Sequence, residues 1–538
     1  MKDINTPQNT SVLIIGGGIT GLTAAILLEH YNIDFILVEK HKTTSILPRA
    51  RTIDIRTMEI YRELGLSEEL REAGKELAPA WGILRGNNLK EALAQTDSKI
   101  IGKITYPSQL ENLKHLGEKS PETGCRCTQD LSEKVLYNKL IAKNQDLRFY
   151  HQMLNFKQND NNTTTSIIQD RETGNQYTID AQYIIAADGA NSLIRKQLNI
   201  PVCGNGSWTN LLNIYFQADL SSLVKGKEFS QLLIDTEEIT GFLLAINNKD
   251  KWAFHLKYDA EKQNSNDFKP ENILPILYKI LGYSNVDIKV LNLSPWQLTV
   301  NIAKELAVGN IFIVGDAAHT MTPYAGKGAS TGIQDVHNLV WKLKLVLDNK
   351  ANKDLLETYD TERQNVGAFY ANLSGELADD NGLVRDKLLL EKGNLLIGLP
   401  DYSYNSTAIN NKQELPTEFI TGVSYTGVIG TRLPHMWLDN TKTISTLDWI
   451  DYKFILIVNN YSDYWIQAWA EVKQELNIDV QLCHFLNSNK ADQWMELTTS
   501  VLSDAILVRP DGFIAARLSS RDPKHNLLAC LKEILCTK

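Results

Sequence analysis

The chain has 538 residues, 43% hydrophobic and 22% charged, and its 55 basic against 64 acidic side chains give a formal net charge of −9. A collagen-like, disordered or disulfide-stapled protein is thereby excluded, and the length suits about three or four domains. An acidic balance without a basic cluster also excludes nucleic acid or an anionic membrane as the main partner.

Residues 1–10 are polar and expected to be loose. Residues 12–15 are four consecutive apolar side chains, read as a buried strand, and the apolar positions between Ile19 and Leu28 read as a helix packed on it. Residues 12–28 carry no charge, but the run holds four glycines and is short for a membrane span. It reads as core, without stable membrane insertion, and the protein is expected in the cytoplasm. A second apolar run at 35–38 completes a β-α-β unit, the mark of an α/β sheet.

Further along, the Asn- and Thr-rich segment 158–166 reads as a solvated loop between paired strands. Runs at 213–216, 242–246 and 252–256 predict an antiparallel sheet inserted in the α/β domain. Buried-strand character returns at 311–314. The steps Ile333, Val336, Val340, Leu343, Leu347 then predict an amphipathic helix, followed by a polar, helix-compatible stretch to about 412. Strand-like runs at 454–458, 506–508 and 513–516 close the chain, with a hairpin turn at Pro510-Asp511-Gly512.

Chemistry concentrates first at Gly16-Gly17-Gly18-Ile19-Thr20-Gly21, a G-x-G-x-x-G between the first strand and its helix. Gly16 permits the tight turn, Gly18 lets a pyrophosphate approach the backbone, and Gly21 lets helix and strand pack closely. The helix N-terminus offers free N–H groups to phosphate. Glu39, about twenty residues on, is placed to bind a ribose, and an acid there favours FAD or NAD over NADP. Lys40 beside it is taken with the same site.

Two strands run into Asp188-Gly189 and into Gly315-Asp316-Ala317-Ala318-His319, the latter continuing through Pro323, Gly326, Gly328 and Ala329 into the long helix. In these motifs the sequence resembles the class A flavoprotein monooxygenases, the family of p-hydroxybenzoate hydroxylase, phenol hydroxylase and the aromatic polyketide hydroxylases, over nearly its whole length. The resemblance implies that Asp316 contacts the FAD ribitol and that the 322–328 loop lies under the flavin ring. Ala325, Lys327 and Ser330 depart from the family's frequent Gly, Gln and Asn. By the same resemblance Arg49, with Arg51 as the close alternative, reaches the FAD pyrophosphate, and Gln129 lies near the flavin. Asp188 and Gly189 are associated with FAD and with a transient NADPH or NADH, and Arg195 follows as in the family. His319, beside the cofactor turn, reads as a structural hydrogen-bonder.

The implied fold is α/β: a Rossmann-like FAD-binding domain (1–80, 111–200 and 301–410), an inserted mainly antiparallel β-sheet substrate domain (81–110 and 201–300), and a C-terminal thioredoxin-like α/β domain (416–538). None of the six cysteines forms C-x-x-C, so that last domain is expected to serve packing, and no metal site is assigned. The implied reaction is hydroxylation of a small phenolic or aromatic polyketide-type substrate with O2 through a flavin C4a-hydroperoxide. No residue is nominated as catalytic, and a homodimer is allowed. Tyr215, Phe242 and Trp296 are candidate pocket walls that read equally as core. An antibiotic-inactivating or Baeyer-Villiger monooxygenase on the same scaffold is the alternative. A flavin halogenase is disfavoured, because W-x-W-x-I-P is absent.

Overall fold

The computed structural model describes residues 8–78, 82–94, 118–263, 267–385, 398–400, 402–410, 426–459, 462–485, 488–500 and 504–537. Three sheets organise it. The first has eight strands, with β1 (Gln8–Ile15) at its centre, parallel to β2 (Phe35–Glu39) on one side and to Gln176–Ala186 on the other. Ile311–Ile313 adds in parallel beyond Gln176–Ala186 and Leu147–Phe149 beyond β2, so five parallel strands carry their C-terminal ends to one edge. α1 (Ile19–His30) packs against it, and the long helix Gly328–Leu347 packs on α1. Strands buried on both faces need apolar side chains at consecutive positions, and Val12, Leu13, Ile14, Ile184, Ile185, Ile311 and Ile313 are all 0% exposed.

The expectation of a loose N-terminus fails at residues 8–10, which extend β1 and pair with Ile179, Asp180 and Ala181; residues 1–7 lie outside the described residues. The loop expected at 158–166 shrinks to 159–163, because His151–Gln158 and Thr164–Asp170 pair as a hairpin through Thr164 and Gln158. The expected substrate-domain segment 81–110 is described only at 82–94.

The second sheet has seven strands and is antiparallel except where Ile83–Arg85 joins Gln231–Asp235 in parallel. Its backbone is the pair Val202–Gln217 and Lys289–Ala303, bordered by Lys251–Lys257 and Thr240–Ala245. Alternation assigns the faces. On Lys251–Lys257, Trp252, Phe254 and Leu256 turn into a core closed by the helix Pro270–Leu281, while Ala253 and His255 take the opposite face.

The third sheet, ordered Val480–His484, Phe454–Val458, Ala505–Val508, Ile514–Leu518, is parallel in its first pair and antiparallel in the rest. With the helices Asp463–Leu476, Ser488–Thr498 and Pro523–Ile534, this is the expected thioredoxin-like layout. Buried charge joins it to the first domain. Glu362 accepts from Arg509 Nη1 at 2.5 Å and Nη2 at 2.9 Å, from Lys342 Nζ at 3.0 Å and from Asn338 Nδ2 at 2.7 Å, and Arg509 Nε reaches Asp511 at 3.0 Å. Two acids balance two bases, all of them buried. Among the described residues, no helix is long and apolar enough to cross a membrane.

Candidate active site

The turn after β1 is built by close approach. Gly16 has φ +110°, and a Cβ on it would lie 2.2 Å from the Ala187 carbonyl oxygen. A Cβ on Gly21 would lie 1.9 Å from the Gly16 oxygen. α1 starts without a side-chain cap and with no acid in its first turn. Above Gly18 the space is open, since a Cβ there would meet nothing nearer than Glu133 Oε1 at 3.7 Å. Ile19 and Thr20 open the helix there, so its N-terminus is a ready cradle for an anion. Glu39 closes the cradle from β2: its Oε2 accepts from the Gly17 N–H at 2.6 Å, and its Oε1 from His41. Lys40 is exposed, with its carbonyl accepting from Arg171 at 2.6 Å.

Gln129 begins the helix Gln129–Ala142, its N–H donating to the Arg49 carbonyl at 2.7 Å and its side chain to Glu133 at 2.6 Å. Glu133, which sequence reading missed, also accepts from the Ser45 N–H at 2.7 Å. Burial raises its pKa, opposed by the bonds from Gln129, Ser45 and Ile19. The available signal was the i, i+4 spacing of Gln129 and Glu133 on one helix face.

Arg49 and Arg51 part company at Ala50, whose φ of +43° is rare for a residue with a side chain. Arg49 is exposed and close enough to Asp316 that the carboxylate opposes the effect of burial in lowering its pKa. Arg51 goes the other way. It donates to the Ser230 and Ala245 carbonyls, each at 3.1 Å, and to Ser230 Oγ at 3.2 Å. Its guanidinium therefore stitches the turn to the second sheet, and the structure does not bring it to Asp316.

Asp316 follows Ile311–Ile313, accessible to solvent yet crowded by protein. Burial raises its pKa, while His319 and Arg49 lower it, as expected of a carboxylate at the floor of a cleft. Asp335 fixes the loop: its Oδ2 accepts from the Gly315 N–H at 3.1 Å and faces His319 Nε2 at 2.8 Å, and its Oδ1 accepts from Arg363 Nε at 2.8 Å. His319 is thus spent on Asp335. Asp188 turns its Oδ2 to the Leu193 N–H at 2.8 Å and leaves a buried Oδ1 unpartnered, while Gly189 has φ +81°. Arg195 ties this turn to the Asp316 loop through the Ala317 carbonyl at 2.7 Å.

The next loop exposes Pro323 and Gly326, the latter at φ +62° with open space where a Cβ would stand. Gly328 and Ala329 begin the long helix. Lys327 is 2% exposed and pairs with Asp54 at 3.0 Å, an ion pair that accounts for lysine at this position. Opposite lies the second sheet's other face. Phe242 stacks on His255 with ring centroids 4.5 Å apart and meets Tyr324 edge-on at 6.0 Å, and Trp296 stands edge-on to His255 at 5.4 Å. Phe242 and Trp296, ambiguous in sequence, belong to one cluster with Tyr324, Leu383 and Val384. Tyr215, on the Val202–Gln217 strand, is outside it.

Comparison with known proteins gives two family matches: residues 9–373 match a FAD binding domain, and residues 426–537 an aromatic-ring hydroxylase C-terminal domain. The chain is 31% identical to tetracenomycin A2 monooxygenase-dioxygenase of Streptomyces glaucescens, covering 98% of this chain and 97% of that one. It is 29% identical to 4-methyl-5-nitrocatechol 5-monooxygenase of a Burkholderia species, covering 99% and 100%. Among solved structures, aklavinone-11 hydroxylase with FAD and aklavinone superposes with a TM-score of 0.87 at 23% identity, over 99% of this chain and 100% of that one. The flavin-dependent monooxygenase PieE, with FAD and substrate, gives 0.84 at 25% identity over 99% and 100%.

Proposed function

Because the chain belongs to the FAD-binding family of aromatic-ring hydroxylases and is an FAD-dependent monooxygenase, we propose that it hydroxylates a phenolic or aromatic polyketide-type ring, with NADPH or NADH and O2 as co-substrates. The observation that carries this reading is the cleft itself: an anion cradle at α1 and the Asp316 carboxylate on one side, an aromatic wall on the other. Bound FAD, once reduced, supplies the activation of O2 and the transfer of one oxygen atom.

The residues present fit that cofactor. The uncapped α1 N-terminus and the open ledge at Gly18 suit its pyrophosphate, with Arg49 as counter-charge. Glu39 suits the adenosine ribose. Asp316 suits a ribitol hydroxyl, and the open backbone at Pro323 and Gly326 lets a flat ring lie against the loop. Asp188, Gly189 and Arg195 brace the Asp316 loop and serve the cofactor through it. Phe242, Trp296 and Tyr324 would exclude water from the aromatic substrate. The test is a screen of phenols and aromatic polyketides for substrate-stimulated NAD(P)H oxidation. Absence of stimulation by every ring compound would overturn the reading.

Two variants separate cofactor contact from scaffold. Asp316→Asn should weaken FAD retention roughly ten- to a hundredfold, the worth of a charged hydrogen bond of about 1.5–3 kcal/mol, without lowering the melting temperature of the cofactor-free chain. His319→Ala should lower that melting temperature, since it breaks a buried bond to Asp335. Fluorescence titration with FAD and thermal melts check both, and equal FAD affinity in Asp316→Asn and the parent would make that carboxylate structural.

The C-terminal cysteines are expected to be inert. Cys483 and Cys530 are 5% and 2% exposed, and burial pushes the Cys483 thiol up to about 11. Replacing Cys483, Cys530 and Cys536 with alanine should therefore preserve turnover in the folded, FAD-loaded enzyme. Lost turnover at full cofactor content would require a catalytic thiol.

A further inference from the structure

His255 lies in the middle of the aromatic wall, and its hydrogen bonding is asymmetric. Trp296 Nε1, which can only donate, reaches His255 Nδ1 at 3.1 Å. Nδ1 is therefore an acceptor, and in the neutral ring the proton sits on Nε2. Nε2 bonds to no described residue, is not among the buried unpartnered atoms, and belongs to a half-buried ring. Stacking on Phe242 fixes the ring plane. The ring thus offers one oriented N–H donor with no acceptor among the described residues.

The surroundings specify what that donor meets. Across the ladder on one side is Asn213, 4% exposed, whose Oδ1 is also unpartnered, and on the other is Phe242. From the turn after β2, Arg49 and Arg51 act on the ring with positive charge; Tyr324 comes from the 322–328 loop, its hydroxyl donating to the Gly382 carbonyl. Burial first, then the two guanidiniums, hold the imidazole down at about 3, so at neutral pH it stays uncharged and cannot take a second proton. The field that opposes a cation there favours electron-rich oxygen.

We propose that His255 is a specificity-determining residue of the hydroxylation site: locked by Trp296 as the Nε2–H tautomer, it hydrogen-bonds an acceptor oxygen, carbonyl or hydroxyl, on the edge of the aromatic substrate. The proposal rests on the aromatic-hydroxylase reading and adds to it a rule for substrate choice. An analogue with a poor acceptor at that edge leaves the N–H unpaired in a half-buried site and is rejected.

The experiment uses the FAD-loaded full chain and a matched pair, 1-naphthol and 1-naphthylamine, with binding read from perturbation of the flavin spectrum. The parent should prefer the naphthol about tenfold, the worth of one such hydrogen bond. That preference should be flat from pH 5.5 to 8, across the ordinary imidazole value of 6.5. His255→Leu should abolish it, and His255→Gln, which restores an N–H donor, should recover most of it. Trp296→Phe, which frees the tautomer and leaves the histidine in place, should reduce it severalfold and covers the case in which His255→Leu fails to fold. A preference that survives in His255→Leu, that titrates near pH 6.5, or that is absent from the parent overturns the proposal. Failure of the underlying function looks different: no ring compound would stimulate NAD(P)H oxidation in the parent.

Discussion

Replacing Glu362 with alanine should cost about 3–5 kcal/mol and abolish accumulation of soluble protein at physiological temperature, because it strands two cations in the interior. Arg509 and Lys342 are both 0% exposed, and each loses its direct bond to the carboxylate, leaving Asp511 to serve Arg509 alone. Burial alone would raise the Glu362 pKa, but Arg509 and Lys342 more than reverse this and hold it well below the usual carboxylate range. A carboxylate depressed in the folded state stabilises it above the ordinary value of 4.5, and that contribution is lost as pH falls below it. Glu362→Gln, nearly isosteric, should therefore be destabilised at pH 7 and lose part of the parent's acid sensitivity. Urea unfolding at pH 7 and pH 4 checks both points; a Glu362→Gln chain as stable as the parent at pH 7 would mean that the network does not hold the C-terminal domain.

Gly21→Ala should give a chain that purifies without bound FAD. The added methyl would stand 1.9 Å from the Gly16 oxygen and 3.4 Å from Ala187 Cβ, so α1 must move off the turn that it caps. Moving it takes the helix N-terminus away from the pyrophosphate position, and the expected loss of FAD affinity exceeds a hundredfold. Gly65→Ala is the comparison: this glycine, unlike Gly21, has positive φ, +66°, but a Cβ there meets nothing within 4 Å. It should show backbone strain without loss of FAD. The flavin-to-protein absorbance ratio of the purified variants decides it, and stoichiometric FAD in Gly21→Ala would contradict the packing argument.

Both effects differ in how far the sequence announces them. The β-α-β unit, the Asp316 loop and the long helix are written in contiguous residues: an apolar run, a glycine spacing, a step of three and four. The hairpin at Pro510-Asp511-Gly512 was equally local, with Gly512 at φ +78°. That Arg509 beside it meets Glu362 was not, because the partners are 147 residues apart and each alone looks like an ordinary charge. The strand Lys289–Ala303 was hidden by Pro295, which sits where the strand has a neighbour on one side only. Val202–Gln217 was seen only at 213–216, since glycines and register shifts break its alternation before Thr209. Within the site, spacing pointed to Gly16, Gly18, Gly21 and Glu39 and the family resemblance to Asp316, whereas the opposite courses of Arg49 and Arg51 depend on one backbone angle at Ala50. His255 was legible only in hindsight. In Lys251–Lys257 it shares with Lys251 and Lys257 the face opposite Trp252, Phe254 and Leu256, and alternation alone reads such a face as turned to solvent.

The most direct measurement of the central claim is isotopic. The FAD-loaded enzyme is supplied with NADPH or NADH, 18O2 and the ring compound that best stimulates nicotinamide oxidation, and the product is weighed by mass spectrometry. The account predicts a product carrying one oxygen atom from 18O2 on the aromatic ring, with none from water in the converse H218O experiment. Nicotinamide oxidation that yields only hydrogen peroxide, or product oxygen drawn from water, would contradict it.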